Sequence, residues 1–236
     1  MINLLMTFFG ITYLPLVMLH NNNYFPTQQS NKIKDICYFW WNFSLSVFSI
    51  WGMLKTVPYF VNSIHKYGLI STIINNNCYE ELKMPLLLFA PSKIIELGDT
   101  FFIAIRGKKI KYIQYFHHWI TMLYCWYVHN FRLYRMNVNA MFCCMNYTVH
   151  SFMYTWYAIS ALKIKTPIWI KNSVTIIQII QMFLGVYLTI IANIYGQWFL
   201  KDFYSSFFAS CMYLYYSYLF TNLFFKIILK NQKKCS

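Results

Sequence analysis

Acidic side chains are almost missing from this chain: six Asp and Glu stand against 20 Lys and Arg in 236 residues. Charged residues of both signs make up only 11% of the sequence, where soluble domains run near a quarter. A soluble fold of this size would lack the polar groups to cover its surface. No C-x-x-C pair occurs among the seven cysteines, Cys37, Cys78, Cys125, Cys143, Cys144, Cys211 and Cys235. They read as reduced structural residues, not as disulfides or zinc ligands. The first apolar run, Ile2 to Leu19, has no basic leader and no small-residue cleavage site. That marks it as a retained span and not as a signal peptide. Internal repeats and domain linkers are also missing, so residues 1–236 are expected to form a single domain.

What the chain does contain is apolar and aromatic: 58% of residues are hydrophobic and 22% are Phe, Trp or Tyr. A membrane span needs about 20 apolar residues. Seven segments qualify, roughly 2–19, 36–60, 84–105, 111–129, 138–162, 168–195 and 203–227. The expected fold is therefore all-α, a polytopic membrane protein of seven transmembrane helices. "HNNNYFPTQQSNK" reads as a polar loop, and "NNN" recurs at Asn75 to Asn77.

The net charge of +14 would suggest nucleic acid in a soluble protein. Here the basic residues fall in short gaps between apolar runs, which points to topology and to anionic partners, with no nucleic acid. One side holds "NKIK", "RGKKIK", "KIKTPIWIK" and "KIILKNQKK", thirteen of the 20 basic residues. The other holds Lys66, Lys83, Arg132, Arg135 and Lys201. The richer side is expected to be cytosolic, which places the N-terminus in the lumen. The final "KKCS" matches a dilysine retrieval signal of the endoplasmic reticulum and agrees with a cytosolic C-terminus.

Ionisable residues at bilayer depth are functional candidates, and here they concentrate in four consecutive spans. In "KIIELGDT", Lys93, Glu96 and Asp99 recur at three-residue steps and share a helix face. The next span carries His117 and His118 in a run without charge from Tyr112 to Val128. A short turn joins these spans, so Asp99 and His118 should match in depth, about 14 Å of helix from it. A carboxylate there can orient an imidazole. Asn146, His150 and Tyr154 repeat at four-residue steps, and Thr175, Gln178 and Gln181 form another stripe. The four stripes can converge on one polar chamber beneath the basic loops. Each has a plainer reading: Asn, Gln and Thr stripes also act as hydrogen bonds between membrane helices, and Lys93 with Glu96 and Asp99 can be a neutralised packing pair. His20, His65 and His129 lie in loops or at span ends and receive no role.

The motifs "KIIELGDT", "FHHWITMLYCWY", "NYTVHSFMYTWY" and "TIIQIIQM" together resemble the ELO fatty-acid elongases, over about Trp41 to Phe225. "NFSLSVFSIWGMLKT" and "ELGDTFF" look closest to the branch acting on saturated and monounsaturated acyl chains. The resemblance implies a seven-helix fold around an acyl tunnel. It implies condensation of an acyl-CoA with malonyl-CoA to a 3-oxoacyl-CoA, with loss of CO2 and CoA and with no cofactor or metal. It also implies a place in the endoplasmic reticulum beside a ketoreductase, a dehydratase and an enoyl reductase. Carried over from the family, His117 is the nucleophile that holds the acyl group as an acyl-imidazole. His150 assists, Asn146 with Gln178 or Gln181 hydrogen-bonds the imidazoles or the oxyanion, and Asp99 and Glu96 orient His118. Lys93 and the cytosolic lysines meet CoA phosphates. The family's H-x-x-H-H box is here Q-Y-F-H-H, with Gln114 in the first position; glutamine can hydrogen-bond but cannot titrate, which leaves the substrate class open.

Two other classes were weighed. Membrane di-iron desaturases and hydroxylases also carry histidine boxes, but they need more histidines than the six present. A seven-helix receptor or transporter would fit the span count. Prolines 85 and 91, expected to kink the third span, are the feature that favours a transporter, though inverted repeats are missing.

Overall fold

The computed structural model describes residues 2–22, 31–74, 78–131, 133, 137–196 and 200–235, with side chains excepted at 2–6, 79, 200–202 and 227–235. Most of the polar stretch after the first span, Asn75 to Asn77, Arg132, Arg135 and the side chains of Lys201, Lys233, Lys234 and Cys235 lie outside the described residues. The fold is all-α. Among the described residues the helices are α1 (Ile2–Asn21), α2 (Lys32–Tyr67), α3 (Leu69–Ile74), α4 (Tyr79–Glu96), α5 (Gly98–Ile105), α6 (Tyr112–Asn130), α7 (Asn137–Ala161), α8 (Ile168–Tyr195) and α9 (Leu200–Cys235). Six expected spans each coincide with one long helix. The remaining span, 84–105, is divided between α4 and α5.

That division does not fall at the prolines that could kink the span. Helix α4 runs through both Pro85 and Pro91 and ends at Leu97 instead. Pro85 leaves its neighbours short of a backbone donor, but its own carbonyl accepts from Tyr147 Oη at 2.9 Å. The break comes where Gly98 lets a large side chain reach the backbone. A Cβ at Gly98 would collide with the Trp41 ring, and α5 begins there with Asp99 bonded to Trp41 of α2.

The molecule is apolar over much of its outward surface and buries a set of ionisable side chains between its helices. On α8, Ile176, Ile180, Phe183, Leu184, Ile190 and Ile194 are exposed, while Gln181 is buried. Lys93, Glu96, Asp99, His118 and His150 are all buried. Contiguous apolar surface on this scale marks a protein that water does not surround. Among the described residues, α8 alone is long and apolar enough to cross a membrane on composition. Helix α6 falls short because its three histidines and a glutamine lower its mean hydropathy.

Helix α2 lies along α7, and α8 pairs with α9. Small residues permit both approaches. A Cβ on Gly52 would collide with the Tyr147 ring, and one on Gly185 with Tyr213. Tyr147 cannot withdraw, since it is fully buried, bonded to Pro85 and packed edge-on against Phe48 and Phe89. Gly52→Ala is therefore expected to destabilise the bundle by about 1–3 kcal/mol through overpacking, read as a lower thermal midpoint of the detergent-purified protein. An unchanged midpoint would show that α2 and α7 have slack.

The turns at one end of the bundle are tied to each other. Asn31 caps α2 by accepting from the Lys34 backbone at 3.0 Å. Asp35 holds Arg106 at 3.2 Å and Lys163 at 2.9 Å. Lys34 Nζ donates to the Ile105 carbonyl at 2.8 Å. Asn21, the last residue of α1, exchanges two hydrogen bonds with Ile110. The starts of α2 and α6 and the ends of α1, α5 and α7 thus share one basic platform.

Candidate active site

The site grows from two helix-spaced pairs. On α4, Lys93 and Glu96 are one turn apart, and Nζ donates to Oε1 at 2.6 Å. On α7, Asn146 and His150 are also one turn apart. Lys93 Nζ donates to Asn146 Oδ1 at 2.7 Å, and Asn146 Nδ2 donates to His150 Nε2 at 3.1 Å. A ring nitrogen that accepts leaves its proton on the other nitrogen. His150 Nδ1 is that nitrogen, and it faces Glu96 Oε1 at 3.6 Å. The four residues form a closed ring, Lys93–Glu96–His150–Asn146.

A second carboxylate serves the second histidine. Asp99 accepts from Trp41 Nε1 at 2.7 Å on Oδ1 and from Tyr154 Oη at 2.8 Å on Oδ2. His118 Nε2 lies 3.7 Å from Oδ2 and is bonded to the Gln114 amide at 2.8 Å. Gln114 and His118 are again one helical turn apart. His117 differs from both other histidines. Its buried Nδ1, like that of His150, has no hydrogen-bond partner; what sets it apart is its ring, which meets Tyr216 edge-on with centroids 4.7 Å apart.

Two cavities meet at that ring. A polar one of about 430 Å³ is bordered by Lys108, Lys109, Lys111 and Lys171 at its basic end and by His117, His118 and His150 within. A narrower one of about 50 Å³ runs on between α4, α6, α7, α8 and α9. Its lining includes Leu86, Phe89, Phe142, Met212 and Tyr213. Both His117 and His129 border it, a distance of about 18 Å along α6. His117, Asn146, Gln181 and Met182 border both cavities. Chemically this is a cationic entrance, a set of imidazoles with fixed protons, and an apolar recess, in series.

The structure brings nearly all of the expected residues together. Asp99, Gln114, His117, His118, Asn146, His150, Gln178 and Gln181 line the polar cavity, and Tyr154 supports it through Asp99. One expectation widens and one changes. Glu96 comes within 3.6 Å of His150 Nδ1 as well, while Asp99 comes within 3.7 Å of His118 Nε2. Lys93 is 2% exposed and committed to Glu96 and Asn146, so it does not meet a soluble phosphate; the exposed Lys108, Lys109, Lys111 and Lys171 remain for that.

Three participants escaped the sequence reading. Trp41 looks like an interfacial aromatic but holds Asp99. Tyr216 on α9 packs on the His117 ring and donates to its carbonyl at 3.1 Å; Tyr213, Tyr216 and Phe220 at helical spacing were its only signal. At the far end of the apolar cavity Tyr124 Oη donates to Asn139 Oδ1 at 2.8 Å, and His129 lies beside them. Among the described residues, no group of three or more His, Cys, Asp or Glu is arranged to hold a metal ion.

The family model described as ELO, GNS1/SUR4 family, matches residues 3–236. Mouse (Mus musculus) very long chain fatty acid elongase 6 is 32% identical over 205 residues, 83% of this chain and 74% of that protein. Human (Homo sapiens) very long chain fatty acid elongase 3 is 32% identical over 165 residues, 66% of this chain and 58% of that protein. Long chain fatty acid elongase 1 of Caenorhabditis elegans is 33% identical over 147 residues, 61% of this chain and 50% of that protein. The matched part thus spans half to three-quarters of these relatives.

Proposed function

The chain belongs to the ELO family, and on that premise we propose that it is the condensing enzyme of fatty-acid elongation, joining an acyl-CoA to malonyl-CoA as a 3-oxoacyl-CoA synthase. The observation that carries the proposal is the position of His117, shared by a lysine-rimmed polar cavity and an apolar recess. The lysines suit the phosphates of CoA, and the apolar lining of the recess suits an acyl chain, for which the recess of about 50 Å³ must widen; the thioester between them then falls at the imidazole.

A neutral imidazole nitrogen of His117 attacks the thioester carbon. The C–S bond breaks, and CoA leaves as a thiolate that takes up a proton. The acyl group remains on the ring. Malonyl-CoA in the same cavity loses CO2, and its C2 carbanion attacks the acyl carbon. The C–N bond breaks, which frees His117 and yields a 3-oxoacyl-CoA two carbons longer. His150, held by Asn146 and Glu96, stands where the enolate oxygen of the decarboxylated unit needs a donor. Its proton-bearing Nδ1 faces Glu96, so its part is to hold charge and orientation until substrate enters. Gln114 keeps His118 in place by hydrogen bonding alone, in the position where the family carries a titratable histidine.

The outward apolar faces support seven membrane-crossing elements, α1, α2, α4 with α5, α6, α7, α8 and α9. The basic platform then faces the cytosol, the source of malonyl-CoA, and the N-terminus faces the lumen. Residence in the endoplasmic reticulum, beside the ketoreductase, dehydratase and enoyl reductase that would complete the cycle, is part of the same proposal and is supported by the final KKCS. Replacing Lys233 and Lys234 together by Ser is expected to release the protein to later compartments, as seen by fluorescence of a tagged chain; unchanged location would place the retention signal elsewhere.

The decisive experiment is microsomes expressing this chain, given labelled malonyl-CoA with a panel of acyl-CoA chains and read by product mass. Products two carbons longer than the acceptor support the proposal. No product across the panel, with the protein present and folded, overturns it.

A further inference from the structure

The apolar recess is crossed by a hydrogen bond. Helix α6 packs chiefly on α1, α4 and α9, and α7 packs chiefly on α2 and α8, so α6 and α7 stand on opposite sides of the narrow cavity that both line. Tyr124 of α6 and Asn139 of α7 border that cavity, and Tyr124 Oη donates to Asn139 Oδ1 at 2.8 Å. Both side chains are buried, and the bridge is held at each end. Asn139 Nδ2 donates to the Leu133 carbonyl at 2.9 Å. The Tyr124 ring stacks on Phe208 of α9 with centroids 5.8 Å apart, and the buried Ser205 Oγ lies 3.4 Å from Tyr124 Oη. Leu86, Met182 and Met212 elsewhere in the lining can change rotamer to make room for a chain. The bridge cannot move aside without leaving a buried oxygen unpaired.

Two helical counts place the bridge at the same depth. Tyr124 follows His117 by seven residues on α6, and Asn139 precedes Asn146 by seven on α7; each interval is about 10 Å of helix. An extended hydrocarbon, with bonds of about 1.5 Å and angles of about 111°, advances about 1.25 Å per carbon. About eight carbons therefore fit between a thioester carbon at His117 and the bridge. Resting on the reading that this recess holds the acyl chain, we propose that the Tyr124–Asn139 bridge is its length stop, and that the acceptors are medium-chain acyl-CoAs of about nine carbons or fewer. Val128 and His129, a turn or more further along α6, also line the recess and stand behind the stop.

The test measures equilibrium binding of S-alkyl-CoA thioethers, from octyl to hexadecyl, to the full chain in nanodiscs. A thioether lacks the carbonyl that reacts, so binding alone is read. Each result is taken as the ratio of a variant to the native chain for one ligand, which cancels partitioning of that ligand into the bilayer. Tyr124→Leu removes the bridge. Its gain in affinity over the native chain should be small for the octyl thioether and at least about tenfold for tetradecyl and hexadecyl, since each further methylene buried adds about fourfold. A gain equal at all lengths overturns the proposal, as does a native chain that binds no thioether. Val128→Phe fills the recess behind the bridge, so in the native background it should leave every affinity unchanged. A weaker hexadecyl complex in that variant would mean that the chain already passes the bridge, and would overturn the proposal even if Tyr124→Leu does not fold. None of these outcomes depends on turnover. Thioether binding in the expected pattern by a chain that extends no acyl-CoA would sink the condensing activity and leave the length stop standing.

Discussion

His117→Ala is expected to lower the incorporation of labelled malonyl-CoA by on the order of 10³-fold or more, the size of loss seen when a covalent nucleophile is removed. The protein should still fold, because the ring makes few commitments: its buried Nδ1 lacks a partner, and its main contact is the Tyr216 face. A second measurement separates a nucleophile from a residue that merely shapes the cavity. Given acyl-CoA without malonyl-CoA and quenched rapidly, the native chain should carry the acyl mass on the peptide that contains His117. His118→Ala should keep some of that adduct, since His118 is held by Gln114 as a neighbour of the reacting ring. An active enzyme in which His117→Ala keeps its rate would reject the acyl-imidazole step, while leaving the condensing activity to be explained by another residue.

The second large effect concerns stability. Lys93→Met removes the ammonium bonded to Glu96 and leaves a buried carboxylate without that counter-ion. Breaking one partner of such a pair costs about 3–5 kcal/mol, so a large fall in thermal midpoint is expected. Lys93→Met combined with Glu96→Gln should recover much of that loss, because a neutral pair no longer carries the desolvation of an unmatched charge. Activity should not return in the double variant. Lys93 also donates to Asn146, which in turn donates to His150, and that chain of orientation stays broken. Recovery of both stability and rate would demote the ring of Lys93, Glu96, His150 and Asn146 to a packing device.

The sequence by itself determined the class of fold, the number of long helices and the stripes that face inward. Those follow from local rules: the length an apolar run needs, the 3.6-residue period that aligns Asn146 with His150 and Gln114 with His118, and the short turn that sets Asp99 level with His118. Only the tertiary structure decided how the stripes were shared out. The helical period puts Glu96 and Asp99 on one face but does not say which partners each meets. Trp41, 58 residues away in the chain, enters the space that Gly98 leaves and bonds Asp99, while Glu96 lies against Lys93 and His150. The same is true of Tyr216 against His117 and of the burial of Lys93. Such contacts depend on which distant helices are neighbours, and that is fixed by the packing of the whole bundle and not by any period within one segment.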